Sequence, residues 1–318
     1  MRAVRRRAYG ETDVLTIEDV DIPTPAADQV LVRVKAAGVN MAEWHLMTGR
    51  PSLVKVALGF PRPRNASLGA DLAGVVEAVG PGATRFAVGD EVFGAGDGTF
   101  AEYAVATQER LQPKPATVSF EEAAAMPMAG YTALQALAVA GDLAGKQVAV
   151  TGAGGGVGSM LVQLAKARGA HVTAICSARK AEFVLRLGAT EAIDYATTDV
   201  TAGQRRFTAV FDFAGGRPLR SWRRVIHPGG VLVLGGDEGG GAVLGPLGRS
   251  FRSLFVRGIR IVTLLASTTP ESLDELRGSL ESGELRSPLT RSYPLDDVAQ
   301  AIDDLRAAKH PGKLVLVP

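Results

Sequence analysis

The chain is short of the residues that build several common kinds of functional site. It has one cysteine and four histidines in 318 residues. A single cysteine excludes an internal disulfide framework and any multi-cysteine zinc site. The histidines, Cys176 and the scattered acids show no metal-ligand spacing, and no H-E-x-x-H occurs. Neither sign of charge is in excess: 35 Lys and Arg stand against 33 Asp and Glu, a net charge of +2. That balance makes no case for nucleic acid binding. No run is long and apolar enough to span a membrane, and no apolar signal region follows the basic start Met1–Gly10. A cytoplasmic protein without nucleic acid or membrane partners is expected. At 46% hydrophobic and 21% charged, the composition is that of a soluble globular chain, with length enough for two domains.

What is present is organised around Val148–Gly158, V-A-V-T-G-A-G-G-G-V-G. Gln147–Val150 reads as a strand. Val157, Met160, Leu161, Leu164 and Arg168 then recur at helical spacing, and Gly169 stops the helix. The turn between them holds four glycines in five residues. Glycine lets the backbone approach a bound group closely, and the free N–H groups of the following helix favour an anion. Strand, glycine turn, helix and a second strand at His171–Cys176 make the arrangement of a dinucleotide-binding unit. It is not a P-loop. NAD sites usually carry an acid roughly 20 residues after the glycines, yet none stands between Gly158 and Glu182. Ser177, Arg179 and Lys180 follow the second strand instead. A hydroxyl and two cations suit a 2′-phosphate, so NADPH is the expected cofactor. The alternative is that Arg179 and Lys180 are a solvated helix start. Cations are mildly unfavourable there, which argues for an anionic partner.

Along the rest of the chain, residues 1 to about 115 read as short strands separated by glycine turns. They include Val30–Lys35, Leu72–Val79, Val88–Phe93 and Phe100–Val105. A compact β-rich domain is expected. Helices are expected from Phe120 and over Thr132–Val139. Strands at His171–Cys176, Ala192–Asp194, Ala209–Phe213, Val231–Leu234 and Arg260–Leu265 alternate with helices at Lys180–Leu187 and Arg217–Val225. The alternation predicts a doubly wound parallel sheet. Amphipathic helices at Glu271–Ser282 and Leu295–Ala308 and a last strand, Lys313–Val317, complete the pattern. The expected fold class is α/β. Its expected domains are 1–118, a parallel-sheet domain over 119–268, and a return to the first domain over 269–318.

Several motifs resemble the medium-chain dehydrogenase/reductase superfamily, in its zinc-independent NADPH:quinone reductase-like branch. They are A-A-G-V-N at Ala36–Asn40, G-A-D-L-A-G-V-V-E-A-V-G at Gly69–Gly80, G-D-E-V-F-G at Gly89–Gly94 and F-A-E-Y at Phe100–Tyr103. Further on stand G-Y-T-A-L at Gly130–Leu134, the glycine turn, L-G-A-T-E-A-I-D-Y at Leu187–Tyr195 and G-K-L-V-L at Gly312–Leu316. The resemblance implies a GroES-like catalytic domain, a Rossmann domain, a cofactor between them and a homodimer. Zinc-dependent members carry a Cys near Asn40, a Gly-His-Glu where Gly69-Ala70-Asp71 stands, and a four-cysteine lobe that is absent. Three good ligands are needed for a catalytic zinc, so no metal is expected.

Carried over residue by residue, Gly155, Gly156 and Val157 would lie on the pyrophosphate, and Ser177, Arg179 and Lys180 on the 2′-phosphate. Tyr195 would lie by the adenosine, or be an ordinary strand-end aromatic. Thr132 and the backbone of Leu234, Gly235 and Gly236 match positions near the nicotinamide. Asn40 matches an asparagine at nicotinamide and substrate, though an Asn there could equally serve a turn. Without a metal, hydride passes directly to a quinone or an α,β-unsaturated carbonyl, and the protein orients the rings and stabilises charge. Asn40 could donate to the developing oxyanion; Trp44 and His45 are candidate pocket residues, with solvent the default proton source. Arg62 and Arg64 could face an anionic substrate group or simply be solvated. Asp237–Arg257 could form a flap, a membrane-surface patch or, preferred here, a pocket wall through Leu247, Phe251, Leu254 and Phe255. Arg260–Leu265 would be a hazardous sheet edge if left unpaired, which supports the homodimer. A second function class stays open: a nonenzymatic NADPH-binding sensor or scaffold on the same fold.

Overall fold

A computed structural model describes residues 1–52, 54–204, 206–235 and 256–318. The chain forms two compact units. One comprises Met1–Tyr131 and Thr268–Pro318, the other Thr132–Ser267.

The first unit is β-rich. Its strands are β1 (Arg2–Arg6), β2 (Leu15–Asp19), β3 (Gln29–Val39), β4 (Asp71–Val79), β5 (Glu91–Ala95), β6 (Tyr103–Thr107) and β7 (Leu111–Pro113). Helices α1 (Met41–Thr48) and α2 (Val54–Leu58) lie between β3 and β4. After β7 come α3 (Phe120–Ala124) and α4 (Pro127–Ala140), the latter running into the second unit. The long β3 organises this unit. It pairs antiparallel with β4 and β6, and its inward residues Val30, Val32, Val34, Val39 and Ala37 are buried with Leu72, Phe100 and Leu111 in one apolar core. The expected strand at Val88–Phe93 begins three residues late. Val88 is exposed and Gly89 has φ +97°, a turn conformation that a strand cannot contain.

The second unit is a sheet of six parallel strands. The strands are β8 (Gln147–Thr151), β9 (His171–Cys176), β10 (Glu191–Asp194), β11 (Phe207–Asp212), β12 (Ile226–Leu234) and β13 (Arg260–Thr263). The spatial order is β10-β9-β8-β11-β12-β13, and every neighbouring pair is parallel. Helices α5 (Gly156–Ala167), α6 (Ala181–Arg186) and α7 (Leu219–Val225) connect the strands. The chain runs outward from β8 to β10, then returns beside β8 at β11. The switch point therefore lies between β8 and β11, where such sheets bind ligands at their carboxyl ends. Val148, Ala149 and Val150 are fully buried. A central strand covered on both faces reads as a continuous apolar run, which is why Gln147–Val150 was recognisable as a strand.

Two boundaries shift for local reasons. The helix expected from Lys180 begins at Ala181, after a single 3-10 turn over Ala178–Lys180. The helix expected from Arg217 begins at Leu219, because Pro218 caps it in extended backbone. The chain returns to the first unit through α8 (Pro270–Glu281), β14 (Leu289–Pro294), α9 (Val298–Arg306) and β15 (Lys313–Val317). Strand β15 pairs with β3, so the last strand of the chain joins the main sheet of the first unit, while β1 and β2 form a separate two-stranded sheet. The fold is α/β, with a β-rich unit and a doubly wound parallel sheet.

Candidate functional site

In the second unit, the glycine turn closes as expected. Gly155 caps α5 in extended backbone, and the N–H groups of Gly156 and Val157 at its first turn have no acceptor among the described residues. Gly158 sits so tightly that a Cβ there would come within 2.2 Å of the Gly152 carbonyl oxygen. The turn thus presents free donors at a helix N-terminus, an anion site by its geometry.

The structure brings Lys180 to this turn across 26 residues of sequence, from Gly154 to Lys180. Its aliphatic stem lies on Gly154, where a Cβ would meet Lys180 Cδ at 2.6 Å. Burial, with Arg179 next to it, pushes the Lys180 ammonium below its ordinary pKa. Neither cation has a carboxylate partner among the described residues. Ser177 caps the 3-10 turn between β9 and α6. Tyr195 is 58% exposed, and its N–H donates to the Cys176 carbonyl at 3.2 Å, which places it beside the end of β9. Arg179 is exposed to water, whereas Lys180 is buried, so it is the Lys180 ammonium that an anion would stabilise most.

The ends of β8 and β11 are tied together by groups that sequence reading did not single out. The Thr151 hydroxyl donates to Asp212 Oδ1 at 2.7 Å and accepts from the Ala214 N–H at 3.0 Å. Asp212 also accepts from the Gly215 N–H at 3.2 Å and from the Trp222 indole at 3.1 Å. All of these lie at the switch point. Leu234 ends β12 there, and the Gly235 N–H donates to the Asp212 carbonyl. A Cβ at Gly235 would overlap the Phe213 ring. Gly236 and the preferred pocket wall, Leu247 to Phe255, lie outside the described residues.

The first unit holds a buried polar cluster around Asn40, which caps α1. The Glu43 carboxylate accepts from the Asn40 N–H at 2.7 Å, half of a capping box. Asn40 Nδ2 donates to Asp71 Oδ2 at 3.0 Å and to the Gly38 carbonyl at 3.4 Å. Lys313, reaching in from β15, donates to Asn40 Oδ1 and to the Val39 carbonyl at 3.1 Å. Its ammonium lies 3.9 Å from Asp71 Oδ2. Strand register explains the meeting: Gly38 pairs with Asp71 on one side and with Val315 on the other. Gly38 must be glycine, since a Cβ would lie 2.5 Å from the Ala124 carbonyl oxygen. Burial pushes the Glu43 carboxyl up to about 7, aided by the Asp71 charge. It pushes Asp71 up to about 6 against the pull of Lys313, and lowers Lys313. Glu43 Oε1 has no hydrogen-bond partner.

This geometry corrects one expectation. Both amide hydrogens of Asn40 are used inside the protein, so they do not serve a developing oxyanion. The cluster was legible only in part. Lys313 stands out as a lone cation in the apolar strand Lys313–Val317, whereas nothing local marks Glu43 or Asp71 as its partners.

Trp44 and His45 follow Asn40 on α1 but enter a different set of contacts. The Trp44 indole donates to Glu11 Oε2 at 3.4 Å, with the Arg306 guanidinium 4.4 Å and that of Arg50 5.9 Å from the ring centre. Glu11 pairs with both arginines. His45 Nδ1 donates to the Arg50 carbonyl at 3.0 Å. Trp44 is 9% exposed, so these contacts cover most of it. Thr132 lies on α4, half-buried. Arg62 and Arg64 are exposed.

Among the described residues no three His, Cys, Asp or Glu side chains gather as metal ligands. Asn40 donates directly to Asp71 and the Lys313 ammonium lies against both, so a cation already stands where a metal ion would need these groups as ligands. No described helix is long and apolar enough to cross a membrane.

Comparison with known proteins agrees with both units. Residues 26–116 match the family model of the alcohol dehydrogenase GroES-like domain, and residues 187–316 that of the zinc-binding dehydrogenases. The chain is 32% identical to the chloroplast envelope quinone oxidoreductase homolog of Arabidopsis thaliana, over all of this chain and 98% of that protein. It is 34% identical to the 2-methylene-furan-3-one reductase of Solanum lycopersicum, over all of this chain and 79% of that one. The crystal structure of Escherichia coli quinone oxidoreductase complexed with NADPH superposes with a TM-score of 0.85 at 26% identity, each chain fully covered.

Proposed function

Because the chain belongs to the medium-chain dehydrogenase/reductase superfamily, in its quinone-reductase-like branch, we propose that it is a zinc-independent, NADPH-dependent reductase of quinones or α,β-unsaturated carbonyls. The observation that carries the reading is the unpartnered pair Arg179 and Lys180, with Lys180 packed on the glycine turn. The N–H groups of Gly156 and Val157 would hold the pyrophosphate, with Gly155, whose own N–H donates to the Gly152 carbonyl, lying against it, and Ser177, Arg179 and Lys180 would hold the 2′-phosphate. Tyr195 stands where the adenosine would lie. Each unit offers candidates for the nicotinamide: Asn40 in the first, and Thr132 with the backbone of Leu234, Gly235 and Gly236 in the second. When bound, NADPH supplies the hydride.

The chain's own work is then to bind and to orient. Holding two rings in reacting geometry can account for a large part of a barrier, and a quinone or enone accepts hydride readily because its charge moves onto oxygen. With both Asn40 amide hydrogens engaged, solvent is the proton source. The names of the relatives support both acceptor classes, quinone and enone. Zinc independence is supported by the Lys313 ammonium, which lies against both Asn40 and Asp71. A homodimer is supported by β13, which ends the parallel sheet with one edge unpaired among the described strands. The single cysteine suits a reducing compartment such as the cytoplasm.

The direct test is NADPH oxidation with a benzoquinone, a naphthoquinone, a linear enone and a simple aldehyde, each repeated with NADH. Turnover of quinone or enone with NADPH preferred is expected. Tight NADPH binding without turnover of any acceptor would favour a sensor instead, and aldehyde reduction abolished by chelator would defeat the zinc-free reading. Light scattering at micromolar concentration reads the dimer.

A further inference from the structure

One buried carboxylate in the first unit meets one of the residues assigned above to the nicotinamide, Asn40, and the start of the helix that carries another, Thr132. Asp71 is fully buried at the first position of β4. Its Oδ2 accepts from Asn40 Nδ2 at 3.0 Å, and its Oδ1 accepts from the Met128 N–H at 3.0 Å. Met128 is the second residue of α4, and Thr132 stands one turn further along the same helix. Lys313 closes the arrangement by donating to Asn40 Oδ1.

The chemistry of these partners decides which way the Asn40 amide points. An ammonium only donates and a carboxylate only accepts, so Oδ1 must face Lys313 and Nδ2 must face Asp71. The second amide hydrogen goes to the Gly38 carbonyl. What Asn40 keeps for a ligand is one lone pair on Oδ1.

We propose that Asp71 and Lys313 are positioning residues of the reductase site: they hold Asn40 as a hydrogen-bond acceptor and, through Met128, fix the helix turn that carries Thr132. The proposal rests on the reductase reading. It implies that Asn40 recognises a hydroxyl or amide hydrogen of the bound cofactor or substrate.

The test exchanges the two side chains. N40D alone sets two carboxylates against each other, and D71N alone sets two amides together where one must accept. The double variant N40D/D71N restores an acceptor for Lys313, a donor between the two side chains and an acceptor for the Met128 N–H. Each single variant is expected to lower kcat roughly tenfold or more while the NADPH Kd changes little, since displacement of an orienting group acts on the reacting geometry. The exchange variant is expected to recover most of that loss. Folded single variants with wild-type kcat would overturn the proposal, as would an exchange variant that regains Tm without regaining kcat.

A second measurement needs neither variant folding nor turnover. In the wild-type chain, the Asn40 side-chain amide hydrogens should exchange with solvent far more slowly, by NMR, than those of an exposed Asn. Exchange at the exposed rate sinks the proposal. Protected hydrogens in a protein that binds NADPH but reduces no acceptor would defeat the reductase reading while leaving the held amide standing.

Discussion

The two units treat charge in opposite ways. In the first, Asp71, Glu43, Lys313 and Asn40 are buried together and spend most of their hydrogen-bonding capacity on one another. In the second, Arg179 and Lys180 lie side by side with no carboxylate to meet them among the described residues. A saturated cluster cannot bind much; it can only hold something still. An unsaturated one is incomplete until a ligand arrives. The difference is one of satisfied against unsatisfied charge, and it is visible without reference to any ligand.

The sharpest way to break the comparison is to remove the cation from the saturated cluster. K313M leaves two buried carboxyls without a counter-charge, which costs about 3–5 kcal/mol when a buried pair is broken from one side. Urea unfolding at pH 8 should show a loss of that order. At pH 5 the loss should shrink, because Asp71 and Glu43, raised to about 6 and about 7, are then protonated. An equal loss at both pH values would mean that the carboxyls are not the cause.

Removing both cations from the unsaturated site should cost affinity instead. R179A/K180A is expected to weaken NADPH binding by about 3 kcal/mol or more, on the order of a hundredfold, from two charge-assisted contacts of about 1.5–3 kcal/mol each. NADH binding should weaken far less, and Tm should fall modestly because the Lys180 stem no longer packs on Gly154. If calorimetry showed both cofactors weakened alike, the 2′-phosphate assignment would be lost.

The raised Glu43 carboxyl gives the wild-type chain a pH dependence of known sign. The folded state binds a proton there that the unfolded chain releases at an ordinary carboxylate pKa. Its stabilising contribution is therefore complete below about pH 4 and is lost as pH rises through about 7. Asp71 acts in the same direction through about 6. E43Q should flatten the fall in unfolding free energy between pH 5 and 8 by up to about 2 kcal/mol; an unchanged slope would remove Glu43 from the account.

The smallest effect is expected at Trp44. R306A removes a guanidinium from the indole face and an exposed pair with Glu11. Such contacts contribute about 1 kcal/mol or less, and kcat and the substrate KM should stay as they are. A shifted quinone KM would show that Trp44 lines a substrate site rather than tying α1 to its surroundings.

How much could be read beforehand follows from how far apart the cooperating residues lie. The glycine turn, the free helix N-terminus and the cations after β9 occupy Gly152–Lys180, and each is set by residues a few positions apart. Periodicity and glycine placement report on such short-range structure directly. The same holds for the parallel sheet, since each buried strand carries its own apolar run. Strand Glu91–Ala95 starts later than its pattern predicts because Val88 looks like a strand residue, while the positive φ of Gly89 belongs to the turn before it. Type and position mark Trp44 and His45 as pocket residues, but nothing near them in the chain announces Glu11 or Arg306.

The sequence alone therefore determined the α/β class and the strand, glycine turn and helix of the parallel-sheet unit, because backbone hydrogen bonding and helix geometry act over neighbouring residues. Tertiary structure alone decided what Asn40 can do. Its partners Asp71 and Lys313 stand 31 and 273 residues away. They reach it only because β4 and β15 pair with β3 in one register, and a shift of one residue in either pairing would turn those side chains to the opposite face of the sheet.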